Sequence, residues 1–453
     1  MFFYRMAGHA ATVFKVQTMN YYHVSSAPDY IPQNLLRELQ WSRFETVLRY
    51  TYQNVAWYRD RMAEKGVTPA DIRSFDDLYK MPFIVKTDLR DTYPFGMFAS
   101  PMENVVRFHA SSGTTGKPIV VAYTQGDIDV WTEVVKRALL CYGVTTGDIL
   151  QNAYGYGLFT GGLGLHYGGE ALGVTVIPMS GGNTERQVML MRDFGVTVFS
   201  GTPSYFLHIL DKAAEMGVDV RQLPVRIGIF GAEPWTQAMR ERIEAGAGIR
   251  ALDIYGLTEI TGPGVSAECL CQLGSHIFED HFYPEIIDPD TLEPFPDGQE
   301  GELVFTTLSK RGMPLLRYRT RDITRLIAEP CPCGRTLRRM ARISHRSDDM
   351  FIIRGVNVFP GQIESALLSV EGTVPHYHIT LTREQGLDQV EVRVELTSDR
   401  FGDTISSIEN LRREIAKKIE STVGIRANVR LVEPLSIPRS EGKAKRVTDL
   451  REM

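Results

Sequence analysis

The spacing of apolar residues divides this chain of 453 residues into three regions. Between residues 34 and 100 the apolar side chains recur at helical spacing, as Trp41, Phe44 and Val47 do, and Pro82 and Pro94 interrupt the pattern. From residue 105 onward, short apolar runs alternate with amphipathic helices, which is typical of parallel α/β structure. The pattern therefore predicts a helical N-terminal region followed by an α/β sheet.

Four short apolar runs predict the strands of this sheet, at residues 174–177, 196–199, 226–230 and 252–255. Each run ends in a turn that contains glycine, and the ligands of parallel sheets bind at these carboxyl ends. One helix start is also predicted, because Thr124 and Asp127 stand at the spacing of a capping box. The apolar residues between positions 128 and 142 form one face of that helix.

Past about residue 345 the pattern becomes that of a small α+β domain. Residues 390–396 alternate apolar with charged side chains, as a half-buried strand does. Apolar residues between positions 405 and 419 lie on one helical face, and residues 427–434 predict a further strand. We therefore expect a large N-terminal domain of residues 1–345 and a small C-terminal domain of residues 346–453.

Composition narrows the classes of protein. Hydrophobic residues make up 43% and charged residues 23%, as in folded soluble proteins, and no apolar run is long enough for a membrane helix. The 50 basic and 55 acidic residues give a net charge of −5, so the chain lacks the net positive charge that would attract nucleic acid. We expect a soluble protein that binds neither nucleic acid nor membrane.

The five cysteines do not form a disulfide framework in so long a chain. Four of them make two C-x-C pairs, Cys269 with Cys271 and Cys331 with Cys333, which favours metal chemistry in a reducing compartment such as the cytoplasm. Residues 1–19 lack a clean secretory signal. For these residues two interpretations stay open: translation starts at Met6 or Met19, or the segment forms a short ordered N-terminal arm.

Residues 111–118 are the most informative stretch for binding. Two glycines and four hydroxyls can cradle phosphate oxygens, and the residues are Ser111, Ser112, Gly113, Thr114, Thr115, Gly116 and Lys117. The stretch is not a P-loop, because Pro118 follows the lysine and supplies no hydroxyl for magnesium. A polar surface turn is the alternative interpretation.

Further motifs follow in a fixed order. They are residues 231–234 (GAEP), 253–259 (DIYGLTE), 318–322 (YRTRD), 346–349 (RSDD) with 354–355 (RG), and 438–443 (PRSEGK). Together they resemble the adenylate-forming superfamily, and the stretches HASSGTTGKP, AYGYGLFTGG, EDHFYPEIIDP and IIRGVNVFP resemble its phenylacetate–CoA ligase subfamily. The resemblance runs from about residue 20 to the end of the chain.

The resemblance implies an ATP-dependent ligase that forms an acyl-adenylate and passes the acyl group to coenzyme A. It implies that residues 111–117 hold the β- and γ-phosphates, that Thr258 contacts the α-phosphate and that Glu259 binds Mg²⁺. The other implied nucleotide-binding residues are Gly231, Ala232, Glu233, Pro234, Asp253, Tyr255, Gly256, Asp322 and Arg346. The residue before Asp322 is usually glycine in the family and is Arg321 here.

The catalytic residue implied by the resemblance is Lys443, on a glycine-containing loop near the C-terminus. Its cation would bridge the attacking carboxylate and the α-phosphate, although a solvated basic tail is the alternative. Asp348 stands where the family has its hinge between a large and a small mobile domain. Arg354 and Gly355 would then meet the pantetheine arm of coenzyme A.

Residues 154–162 are rich in aromatic residues and glycine, which favours a flat apolar slot for an aryl ring. By resemblance the slot is lined by Tyr154, Phe159, Ala232, Ile254 and Pro263, and a buried glycine-rich turn is the alternative. No lysine or arginine lies in these stretches to pair a second carboxylate, so we expect a monocarboxylic aryl acid.

The cysteine pairs predict a structural zinc site held by Cys269, His276, Cys331 and Cys333, with Cys271 competing for the place of His276. Four free thiols are the alternative.

Two other functions stay open for the chain. An adenylating enzyme could pass its aryl group to a carrier protein or an amine, and a nucleotide-binding regulator could use the same fold. A homodimer is the default expectation.

Overall fold

The computed structural model describes residues 23–111, 118–347, 349–353, 356–384, 387–397, 405–439 and 446–451. Its α-helices are α1 Gln33–Asn54, α2 Ala56–Glu64, α3 Lys86–Asp91, α4 Gln125–Cys141, α5 Gly161–Leu172, α6 Thr184–Asp193, α7 Pro203–Glu215, α8 Gln237–Ala247, α9 Pro360–Leu368 and α10 Ile405–Val423. Short 3₁₀ helices lie at Val24–Tyr30, Pro69–Asp71, Phe75–Lys80, Met102–Asn104 and Val220–Gln222. None of the helices in these ranges has the length and hydropathy of a membrane span.

The strands of the large domain are β1 Val105–Ala110, β2 Val120–Thr124, β3 Ile149–Asn152, β4 Thr175–Ile177, β5 Val198–Gly201, β6 Ile227–Phe230, β7 Arg250–Leu257, β8 Gly262–Glu268, β9 Ser275–Ile277, β10 Phe282–Ile287, β11 Gly301–Thr307, β12 Tyr318–Thr324, β13 Leu326–Ile327, β14 Arg339–Met340 and β15 His345–Arg346. The later strands are β16 Phe351–Ile353, β17 Val356–Val358, β18 Thr373–Glu384, β19 Leu387–Leu396, β20 Asn428–Val432 and β21 Val447–Asp449.

A mixed sheet of nine strands forms the centre of the large domain, in the order β13-β14-β9-β8-β7-β6-β5-β3-β4. The half from β4 to β7 is parallel, and the strands beyond β7 are antiparallel. The four predicted strands are β4, β5, β6 and β7, with ends that differ from the prediction by at most two residues. The predicted α/β class is confirmed, since helices cover this sheet and pack on its buried strands.

The predicted helix start at Thr124 is also present, as the start of α4. The Thr124 hydroxyl accepts the N–H of Asp127 at 3.2 Å, and the Asp127 carboxylate accepts the N–H of Thr124 at 2.8 Å. Both contacts of a capping box are therefore made. The apolar face of α4 then packs into the main core, where Trp131 is buried.

The second sheet of the large domain is antiparallel, in the order β10-β11-β12-β15. The N-terminal region packs on it, and the Phe75 and Tyr283 rings stack at 4.0 Å between centroids. The prediction of a helical region between residues 34 and 100 holds for α1, α2 and α3, while two 3₁₀ helices and extended segments interrupt it. In this region the chain follows the sheet surface rather than forming a helical bundle.

The C-terminal part has a hydrophobic core of its own. Its sheet has the order β20-β19-β18-β21, with α9 and α10 packed on it. The predicted strands and helix of this α+β region are β19, α10 and β20. It touches the large domain where Arg242 donates to the Thr373 carbonyl at 3.2 Å and His376 lies 3.7 Å from the Asp211 carboxylate.

Candidate active site

The Thr258–Glu259 pair lies in a tight turn of residues 258–261, between β7 and β8. The turn follows the carboxyl end of β7, the position at which parallel sheets bind ligands. Gly256 permits the turn, because a Cβ there would lie 1.9 Å from the Gly262 carbonyl oxygen. A larger residue at this position would push the two strands apart.

Two charged or polar side chains face the residues of this turn. The Glu259 residue is 5% exposed, and its carboxylate lies 3.8 Å from Lys86 Nζ at the start of α3. The Thr258 hydroxyl lies 3.4 Å from the Thr160 hydroxyl. The turn therefore presents a buried carboxylate with a nearby cation and a hydroxyl, a set of groups suited to a metal ion and a phosphate.

Tyr255, Asp322 and Arg346 come together between the two sheets of the large domain. The Tyr255 hydroxyl donates to Asp322 Oδ2 at 2.6 Å, and Arg346 Nη1 donates to Oδ1 at 2.8 Å. Asp322 stands opposite Arg346 in the register of β12 and β15. Burial raises the pKa of Tyr255 well above its usual value, and the charge of Asp322 adds to this effect. The tyrosine thus stays protonated and fixes the carboxylate.

Two residues beside the site hold left-handed backbone although they are not glycine: Ala232 and Arg321 both have φ of 68°. This explains why the family usually has glycine before the aspartate, since only glycine adopts such angles without strain. The Arg321 N–H donates to Glu302 Oε1 at 3.2 Å, and its guanidinium lies 3.5 Å from Glu302 Oε2. Glu302 therefore holds the Arg321 backbone.

Glu233 and Asp253, both predicted to bind nucleotide, have structural partners in the protein. The Glu233 carboxylate accepts the Ser204 N–H at 2.9 Å, in the first turn of α7, where an anion is favourable. Burial raises the pKa of Asp253 to about 6, and the neighbouring Glu268 adds to this. The Asp253 N–H donates to the same Glu268, which also pairs with Arg240 at 2.6 Å.

The residues predicted to line the acid slot differ in exposure. Tyr154 and Ile254 are buried, whereas Phe159 is 51% exposed. The Tyr154 hydroxyl is buried, and this burial raises its pKa well above the usual value. Pro263 is held through its carbonyl, which accepts the Trp131 indole N–H at 2.9 Å. At Gly155, next to Tyr154, an added Cβ would meet no atom within 4 Å.

Cys269, His276, Cys331 and Cys333 form one cluster, and their ligand atoms all lie within 4.8 Å of one another. The Cys269 and Cys331 sulfurs are 3.6 Å apart, and Cys333 Sγ lies 3.3 Å from His276 Nε2. Hydrogen bonds from the Cys269 thiol lower the pKa of Cys331 and of Cys333. Cys271 is not one of these four residues, although its thiol interacts with the thiols of Cys269 and Cys331.

His276 is oriented by the antiparallel pairing of β9 with β14. His276 stands opposite Arg339 in that pairing, and its Nδ1 lies 3.2 Å from the Leu337 carbonyl oxygen. A proton on Nδ1 that is donated to this carbonyl leaves the lone pair of Nε2 facing the three sulfurs. The cluster therefore has three sulfur ligands and one nitrogen ligand, which is a common donor set for structural zinc.

Several predicted site residues lie outside the described residues: Lys443, Asp348, Arg354, Gly355, and Ser112 to Lys117 of the phosphate loop. Ser111 is described, and its N–H donates to the Ile119 carbonyl at 3.0 Å. Sequence reasoning missed Lys86 and Lys310, whose side chains contact the Thr258–Glu259 turn. Burial lowers the pKa of Lys310 to about 8, against the attraction of Asp127 and Glu259.

Comparison with known families gives the class of protein. Residues 81–309 match the family model described as AMP-binding enzyme, and residues 355–451 match the AMP-binding enzyme C-terminal domain. The fold and the site thus define an adenylate-forming enzyme. A solved 2-hydroxyisobutyryl-CoA ligase in the postadenylation state has a TM-score of 0.88 and 28% identity, over 93% of this chain and 91% of the other.

Two curated relatives give the family within this class. The phenylacetate-coenzyme A ligase of Thermus thermophilus is 52% identical over 93% of this chain and 98% of its own length. That of Aromatoleum evansii is 53% identical over 92% of this chain and 95% of its own length. The chain belongs to the phenylacetate–coenzyme A ligase family of adenylate-forming enzymes.

Proposed function

We propose that this protein is an ATP-dependent ligase that joins phenylacetate, or a closely similar aryl acid, to coenzyme A and releases AMP and pyrophosphate. The observation that carries the proposal is identity above one half to phenylacetate-coenzyme A ligases over more than nine-tenths of the chain. The Thr258–Glu259 turn and the Tyr255–Asp322–Arg346 group lie at the sheet edge where such a site is expected.

The reaction has two steps. An oxygen of the carboxylate attacks the α-phosphorus of ATP, the bond to the β-phosphate breaks, and pyrophosphate leaves with the electron pair. The thiolate of coenzyme A then attacks the acyl carbon, and AMP leaves. Both steps require groups that stabilise oxyanions. In the first step, we assign this role to Thr258, Lys443 and residues 111–117.

Asp322 would accept the ribose hydroxyls, with Arg346 and Tyr255 holding its carboxylate in place. The Tyr255 ring would offer adenine a stacking surface beside residues 231–234. Its hydroxyl is bound to Asp322, so the orientation of the ring is fixed before the nucleotide arrives. Ordering the site in advance reduces the cost of binding.

The residues present fit a magnesium ion at Glu259, because its carboxylate is buried and is accompanied by Lys86 at 3.8 Å rather than by a tight ion pair. Magnesium is usually held by one or two carboxylates together with phosphate oxygens. When bound, it would neutralise the phosphate charge of ATP. Removal of divalent ions should therefore abolish adenylation.

The donor set of Cys269, His276, Cys331 and Cys333 fits a structural zinc ion. Such an ion would fasten the loop between β13 and β14 to the ends of β8 and β9, outside the nucleotide site. Thiolate ligands require a reducing compartment, which supports a cytoplasmic location.

Homodimerisation stays a prediction, to be measured by analytical ultracentrifugation.

We also propose that the boundary near residues 345 and 346, with Asp348, is the hinge of a mobile C-terminal domain. Support comes from the separate core of that domain and from β15, whose Arg346 still pairs with the large domain. In one orientation Lys443 would reach the nucleotide, and in another Arg354 and Gly355 would reach coenzyme A. Asp348→Pro should therefore impair one half-reaction more than the other, and a variant normal in both would refute the hinge.

The test of the function is pyrophosphate release with ATP and magnesium, measured across phenylacetate, hydroxyphenylacetates, benzoate, aminobenzoates, indoleacetate and hexanoate. Each acid is assayed with and without coenzyme A. We expect strong turnover that depends on coenzyme A with an aryl acid, and little with hexanoate. Release that is indifferent to coenzyme A would favour a carrier protein or an amine as the acceptor. No release on any acid would refute the proposed substrate class.

A Glu259→Gln variant is the matched control, because it keeps the size of the side chain and removes its charge. We expect loss of pyrophosphate release in this variant on every acid that wild-type protein uses. Equal activity of the two proteins would contradict the assignment of Glu259 to the magnesium ion.

A further inference from the structure

Two side chains hold the backbone of the turn that carries Thr258 and Glu259. Lys310 Nζ donates to the Ile260 carbonyl at 2.6 Å and to the Glu259 carbonyl at 3.3 Å. The Tyr123 hydroxyl shares its proton between the carbonyls of Thr261, at 3.1 Å, and Thr258, at 3.3 Å. The four carbonyl oxygens of residues 258–261 therefore have their donors in these two side chains.

The two donors also hold each other. Lys310 Nζ lies 4.6 Å from the centroid of the Tyr123 ring, within the range of a cation–π contact. Lys310 is 5% exposed and Tyr123 is fully buried, so water does not take over their hydrogen bonds. A buried lysine is costly unless its donors are satisfied, and here carbonyls and an aromatic face surround it.

Asp127 fixes the chain next to Lys310. Its carboxylate accepts the N–H of Arg311 at 2.7 Å and the N–H of Gly312 at 2.8 Å, in addition to capping α4. The segment that carries Lys310 is thus tied to the start of α4. The lysine reaches the turn from a backbone whose position is set independently of any ligand.

From these contacts we propose that Lys310 is a positioning residue for adenylation, which sets the Thr258 hydroxyl and the Glu259 carboxylate where MgATP requires them. The inference rests on the proposed function of that turn. Lys310 itself contacts backbone carbonyls rather than the reacting atoms, so its effect passes through Glu259 and Thr258. Groups that orient metal ligands in this way typically contribute about 10–100-fold to metal affinity or activity.

The test compares Lys310→Met with Lys310→Arg. The methionine keeps the length of the side chain and removes the donors, while the arginine restores a cation with donors. We expect Lys310→Met to raise the Kd for ATP in the presence of magnesium about 10–100-fold and to raise the Kd without magnesium less, because only the Thr258 contact is then affected. We expect Lys310→Arg to recover most of the affinity, and thioester formation from supplied acyl-adenylate to be retained in both variants.

Thr307→Val is the matched control, because Thr307 is a buried residue of β11 whose hydroxyl bonds the Leu315 backbone and not the turn. It should lower the melting temperature and leave magnesium-dependent ATP affinity unchanged. A Lys310→Met protein with wild-type affinity, or an equal loss in Thr307→Val, would overturn the proposal. If Lys310→Met does not fold, Tyr123→Phe tests the proposal instead. This variant removes only the hydroxyl that donates to the turn, and it should also weaken magnesium-dependent ATP affinity.

The binding measurement separates the two proposals. Wild-type protein that releases pyrophosphate on no acid would refute the proposed function. ATP affinity with and without magnesium would still report on Lys310 in that case, because it needs no acid. A normal ligase whose Lys310→Met variant binds MgATP as well as wild type would refute the positioning role alone.

Discussion

The proposed zinc site predicts that replacing Cys331 by serine removes the bound metal and lowers the stability of the protein. The sulfurs of Cys269 and Cys331 are 3.6 Å apart, although the residues are separated by 62 positions in the chain. A crosslink that closes a loop of this length removes unfolded-state entropy worth about 4 kcal/mol. For a large domain this corresponds to a melting temperature lower by about 5 °C.

The assay is the zinc content of protein purified without chelator, together with its melting temperature by calorimetry. We expect about one zinc ion per chain in wild type and none in Cys331→Ser. Cys271→Ser is the control, since it removes the cysteine that is paired with Cys269 in the other C-x-C motif and is not among the four residues of the cluster. Wild-type protein that contains no zinc after growth with added zinc would refute the site. Equal loss of metal in Cys271→Ser would refute the choice of ligands.

Three other perturbations test the remaining assignments. Lys443→Ala should lose adenylation and retain thioester formation from supplied acyl-adenylate, and equal loss of both half-reactions would reject the catalytic role. Tyr255→Phe removes a donor to a charged carboxylate, so we expect the KM for ATP to rise about tenfold with little change in fold, and an unchanged KM would contradict the Asp322 assignment. Asp253 has its pKa raised from 3.8 to about 6, so the folded state binds its proton more tightly and stability should fall as pH rises through that interval. Asp253→Asn should remove this slope in urea unfolding between those pH values, and a variant with the same slope as wild type would contradict it.

The parts of the fold that the sequence predicted are those set by local patterns. Apolar runs predicted β5 and β6 because every residue of these two strands is buried, and the spacing of Thr124 and Asp127 predicted α4 because both cap contacts are local. The N-terminal region was less predictable, since contacts with the second sheet decide where its helices break. Phe75, for example, belongs to a 3₁₀ helix that stacks on Tyr283.

The site was predictable only where its residues stand in motifs. Tyr255, Asp322 and Arg346 could be identified in this way, and the structure brings them together. Lys310 could not be identified, because a lysine between Ser309 and Arg311 has the pattern of an exposed loop. It reaches a turn 51 residues away, with its Nζ beside the Tyr123 ring, and this contact between distant segments has no local signal.

The choice between His276 and Cys271 shows the same limit. Both residues follow Cys269 closely, so spacing alone leaves either one possible. The structure places His276 in the cluster, because the pairing of β9 with β14 orients its ring and its Nδ1 lies beside the Leu337 carbonyl, and the identity of the fourth ligand stays a prediction. The register between two strands depends on segments that are far apart in the sequence, so a local motif does not reveal it.

The open space at Gly155 has a consequence for changing which acids the protein accepts by directed evolution. A side chain at Gly155, which is exposed, would meet no atom within 4 Å, whereas one at Gly256 would collide with a backbone oxygen at 1.9 Å. A mutant library randomised at Gly155 and at the exposed Phe159 should therefore yield mostly folded clones with varied acid preference. The same library at Gly256 should yield mostly insoluble protein, so we expect new acid preferences to arise at the proposed aryl slot and to leave the proposed nucleotide site unchanged.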